Sequence, residues 1–97
     1  MALYLVVHTP KSDEVPLAAT RLQDLAKDHG TANSKPRWIR AWSPDLHDER
    51  IFSMWDAANA DEILKVITRY SFLDHMEAHP VQVQEWGPTE VLAAVVD

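Results

Sequence analysis

The chain has no cysteine, so neither a disulfide frame nor thiolate chemistry can be built from it. Glycine occurs only twice, too rarely for a glycine-rich loop that cradles phosphates. Positive charge is also scarce: 15 acidic residues stand against 9 basic ones, a formal charge of -6, and no Lys or Arg run offsets it. Nucleic acid and anionic membranes are therefore not expected partners, since both are bound through clustered cations. The opening apolar stretch Ala2 to Val7 has no basic lead and is too short to span a bilayer, so the expected compartment is the cytoplasm.

What remains is a chain of 97 residues, the size of one domain with one two-layer core, taken as a single unit over 1–97. Residues 2–8 are apolar and β-prone up to Pro10, which predicts a first strand. Ala18, Ala19, Leu22, Leu25 and Ala26 recur at helical spacing, with Ser12 or Asp13 to cap the start and Gly30 to stop it. Arg37 to Trp42 and Ile51 to Trp55, joined by a polar turn, read as a hairpin of strands two and three. Asn59 with Glu62 three residues on forms a helix-start signature, and Ile63, Leu64, Ile67 and Tyr70 continue one helical face. A second start signal at Ser71 to Asp74 allows a short further helix ending before Pro80, and the alternating segment Val81 to Trp86 predicts strand four. Residues 88–97 are compatible with a short helix or an added strand.

The order strand, helix, strand, strand, helix, strand predicts an α+β split βαβ domain. Its antiparallel sheet has the order 4-1-3-2, and two helices lie on one face. Placing Leu3, Leu5, Val7, Ile39, Ala41, Phe52, Met54, Val81 and Val83 under the helices leaves Tyr4, Val6, His8, Trp38, Arg40, Trp42, Ser53, Trp55, Gln82, Gln84 and Trp86 on the bare face. All four tryptophans would then lie on an uncovered surface, which predicts a homodimer that stacks two such faces. The tryptophans either fill that interface or wall a cavity for a small apolar or aromatic ligand. In the second case the polar Arg40, Ser53, Gln82 and Gln84 orient the ligand.

On its opening strand Tyr4 to His8, and on Ile51-Phe52-Ser53-Met54-Trp55-Asp56-Ala57 leading into Ala60-Asp61-Glu62-Ile63, the chain resembles the ferredoxin-like dimeric α/β-barrel superfamily. That superfamily includes muconolactone isomerase, EthD-like proteins, antibiotic-biosynthesis monooxygenases and a nickel-binding family. The resemblance implies a dimeric α/β barrel. It does not choose a reaction, because members range from oxygenases and isomerases to proteins that only bind.

Three functions follow as expectations. With strands one and three parallel, His8, Trp38, Trp55 and Gln82 gather at one mouth of the bare face. His8 is then the candidate general acid or base, and Arg40 the group that holds a carboxylate, phenolate or enolate oxygen. Such a pair serves a cofactor-independent oxygenase or isomerase. Secondly, His75 and His79 stand four residues apart, the spacing of two metal ligands on one helix face, and nickel or zinc is the candidate ion. Thirdly, the aromatic face only pairs with its copy. No nucleophile elbow surrounds Ser53, so a Ser-His-Asp hydrolase is not expected.

Overall fold

The computed structural model of the chain describes residues 2–10, 21–44, 49–73 and 76–94. Its elements are β1 (Ala2–Pro10), α1 (Leu22–His29), β2 (Arg37–Trp42), β3 (Ile51–Ala57), α2 (Ala60–Arg69), β4 (Met76–Gln82) and α3 (Pro88–Ala94). The four strands form one sheet in the order β2-β3-β1-β4, with every neighbouring pair antiparallel.

Counted from the opposite edge this is the expected order 4-1-3-2, but the expected two-helix ferredoxin-like domain and the barrel drawn from it are corrected. Three helices are present among the described residues, and α3 packs on neither face of the sheet to any substantial extent. β1 and β3 run antiparallel, with Tyr4 opposite Trp55 and Val6 opposite Ser53. The cause is connectivity: a helical crossover returns the chain parallel to its first strand, and the hairpin that follows reverses it.

Local sequence explains where the elements start and stop. Asn59 is extended and its side chain accepts from the Glu62 backbone N–H at 3.0 Å, so the helix-start signature before α2 is a working cap. Ile63, Val66 and Ile67 then fall on the buried stripe of α2, while Asp61, Lys65 and Arg69 stay in water. Gly30 closes α1, donating its N–H to the Ala26 carbonyl at 3.0 Å. A Cβ there would lie 2.4 Å from that oxygen, so the close approach requires glycine. The expected beginning of this helix, with Ser12, Asp13, Ala18 and Ala19, lies outside the described residues.

The fourth strand is Met76–Gln82, not Val81 to Trp86. Pro80 sits inside it, opposite Val6. β4 is an edge strand, so the missing proline N–H interrupts no ladder on the open side. This extended backbone also replaces the expected short helix through His79, and its other member, His75, lies outside the described residues.

α1 and α2 cover the sheet face that was expected to be bare. The core comprises Tyr4, Val6, Trp55 and Ala57 from the sheet, with Leu25, Ile63, Val66, Ile67, Tyr70 and Phe72 above them. Each large apolar side chain removed from water there contributes about 1.5–3 kcal/mol. The turn after α2 is pinned to this core: Phe72 is buried and its N–H donates to the Ile67 carbonyl. Ser71 and Leu73 on either side hold left-handed φ angles of 54° and 53°. Leu3, Leu5, Val7, Phe52 and Met54 occupy the opposite face, which no described element covers.

The chain ends in an arm. Val83 still donates its N–H to the Leu3 carbonyl, but α3 beyond it packs on no strand to any substantial extent, and Trp86 and Leu92 are each 72% exposed. The radius of gyration is 15.4 Å, against about 12.5 Å for a compact domain of this length.

Candidate functional site

The helix-covered side holds a buried polar line. His8 Nε2 lies 2.8 Å from Ser53 Oγ, and the indole N–H of Trp55 donates to the same oxygen at 2.9 Å. His8, Ser53 and Trp55 are all fully buried. The pairing of β1 with β3 creates this line, because Val6 faces Ser53 and His8 lies one step along the same face. Phe72 meets the His8 ring edge-on at 5.6 Å, and Trp38 stacks on Trp55 at 6.5 Å. A serine beside a histidine is the beginning of an acyl-transfer site. Here the hydroxyl is shared with an indole and shut away from solvent, and its contacts tie β1 to β3 within the core.

The uncovered side is organised differently. Three cross-strand rows cross it: Trp42, Phe52, Val7 and His79; then Arg40, Met54, Leu5 and Val81; then Arg37, Asp56, Leu3 and Val83. Apolar side chains fill the middle, and charged or titratable ones sit at the edges. At one end Arg37 stands opposite Asp56, and Arg37 Nε and Asp56 Oδ1 are buried with no hydrogen-bond partner among the described residues. Buried polar atoms of this kind normally have a partner. At the other end His79 Nε2 is 3.5 Å from Glu77 Oε2, both side chains more than half exposed.

The expected site residues are therefore divided between the two faces. His8 is buried under the helices and Arg40 is exposed on the other side of the sheet, so the structure does not bring them together. Tyr4, Ser53 and Trp55 belong to the core, with Trp38 packed against it. Trp38 Nε1 is buried without a hydrogen-bond partner among the described residues. Trp42, 42% exposed, lies on the uncovered face. Gln82 ends β4 opposite Tyr4, while Gln84 and Trp86 lie on the arm.

A bulge causes part of this division. The pairing of β2 with β3 shifts register between Trp38 and Arg40, so Trp38 faces Trp55 while Arg40 faces Met54 on the other side. Arg37 and Asp56 were missed as a pair, although a basic residue opening one hairpin strand and an acidic residue closing the other was a readable signal. Of the expected metal ligands, His79 is on a strand beside Glu77. Among the described residues no three His, Asp or Glu side chains gather as a metal group, and no helix is long and apolar enough to cross a membrane.

No protein-family model, curated protein or solved structure matches the chain.

Proposed function

We propose that the protein is a homodimer that holds a small apolar or aromatic molecule against the uncovered faces of its two sheets. The observation that carries this reading is the apolar panel centred on Leu5, Val7, Phe52 and Met54, which nothing described covers. A sheet face of this composition is stabilised by removal from water, at about 25 cal/mol for each Å² buried. A second copy supplies a matching surface without any further gene product. Arg37 and Asp56 support the ligand half of the reading: their buried, unpartnered atoms are suited to fixing the polar end of a bound molecule. Binding fits this geometry better than turnover by His8 with Arg40, which would have to act through the sheet.

The test combines sedimentation equilibrium with titration of tryptophan emission by a flat aromatic acid such as naphthoate. Val81 and Trp42 are 50% and 42% exposed, so changing Val81→Asp and Trp42→Ala leaves the helix-covered core intact. The unaltered chain is expected to dimerise and show saturable quenching, and the double variant to lose both. A chain that stays monomeric at every concentration rejects the reading. Dimerisation without any ligand response would leave pairing as the panel's whole task.

A further inference from the structure

We propose that the C-terminal arm is a docking element, and that its seat is the uncovered sheet face of a second copy of this chain. The inference rests on the self-association reading above and names the segment that completes it.

The arm is built to hold its shape without packing. Gly87 donates its N–H to Glu90 Oε2 at 3.0 Å, and Val91 donates to the Gly87 carbonyl at 3.0 Å, so α3 is closed at its start by its own residues. Pro88 occupies the first helical position, where a missing N–H costs nothing. A helix of 7 residues is nevertheless far too short to persist alone in water. Its apolar groups also lack cover among the described residues: Trp86, Val91 and Leu92 border an open hollow of about 430 Å³ and are 72%, 46% and 72% exposed. An aromatic and two aliphatic anchors on a preformed projection have the character of interface residues.

Area identifies the second copy as the occupant. Four strands about 4.8 Å apart and three side-chain rows about 6.7 Å apart give the panel a footprint of roughly 400 Å². A stable interface covers about 800 Å² on each partner, so the panel alone falls short by about half. The arm adds exposed Trp86, Val91 and Leu92 to the apolar surface that each copy offers the other.

The experiment compares the full chain, a Leu92→Asp variant and a chain ending at Gln84 by sedimentation equilibrium, with thermal unfolding at a dilution where each is monomeric. The dissociation constant of both variants is expected to rise about tenfold or more, while the monomer's unfolding midpoint stays where it was. Variants that dimerise as tightly as the full chain would overturn the arm's role and leave face-to-face pairing intact. A variant whose monomer melts earlier, independent of concentration, would place the arm on its own chain and overturn the inference. A full chain that never dimerises rejects both readings together.

Discussion

Ser53 accepts the indole N–H of Trp55 at 2.9 Å while its hydroxyl also lies 2.8 Å from His8 Nε2, so one small side chain serves two buried rings. Ser53→Ala removes the shared partner without creating a large void. Stranding a buried donor and a ring nitrogen should cost on the order of 2–4 kcal/mol. Urea unfolding followed by tryptophan emission measures this directly. A loss below about 1 kcal/mol would mean that water or a neighbour takes over the hydroxyl's role.

Tyr70 links α1 to the end of α2 by donating its hydroxyl to Asp28 Oδ2. That bond, followed by burial and the Asp28 charge, raises the phenol's pKa above 10.0, with Arg21 and Arg69 opposing. In the unfolded chain the phenol ionises first, at about 10. The contribution to stability is therefore complete below that pH and is lost as pH rises through the higher folded value. Tyr70→Phe should destabilise the protein at neutral pH and flatten this alkaline decline. An equal alkaline slope in both proteins would show that Tyr70 is not its source.

Asn59→Ala should lower stability by about 1 kcal/mol through loss of the bond to the Glu62 N–H. Asn59→Asp retains an acceptor oxygen and favours the helix start electrostatically, so it should recover most of the loss. Circular dichroism during chemical denaturation reads both, and equal losses for the two substitutions would exclude the cap as the cause.

Gly30→Ala should destabilise by about 1–3 kcal/mol, as overpacking does elsewhere. The contact would be with the Ala26 carbonyl, a backbone atom that cannot swing aside. The φ of Gly30 is -101°, so backbone handedness is not the obstacle. A neutral result in thermal unfolding would require the end of α1 to shift and relieve the contact.

The sequence made legible which β1 and β3 residues share a face, but not which face the helices choose. Tyr4, Val6, His8, Ser53 and Trp55 do lie together, as alternation implies. Leu3, Leu5 and Val7 are equally apolar, however, so hydrophobicity could not rank the two sides of β1. Arg40 and Trp42 went astray for another reason: the bulge after Trp38 reverses the alternation within β2, and nothing in Arg37 to Trp42 announces it. The ends of α2 and α1 were readable because Asn59, Glu62 and Gly30 act through contacts only a few residues long. His79 was misassigned because proline was read as a stop, which holds for helices and central strands but not for an outer one.

Pro80 has one more effect. An outer strand of seven residues with a full row of free donors and acceptors invites further strands to join, and so leads to fibres. A proline in the middle of β4 deletes a donor from that row, and Lys35 and Arg37 bring charge to the beginning of the other border at β2. Growth of the sheet sideways is thereby discouraged. In the dimer proposed above, association through the flat surface would then stop at two copies.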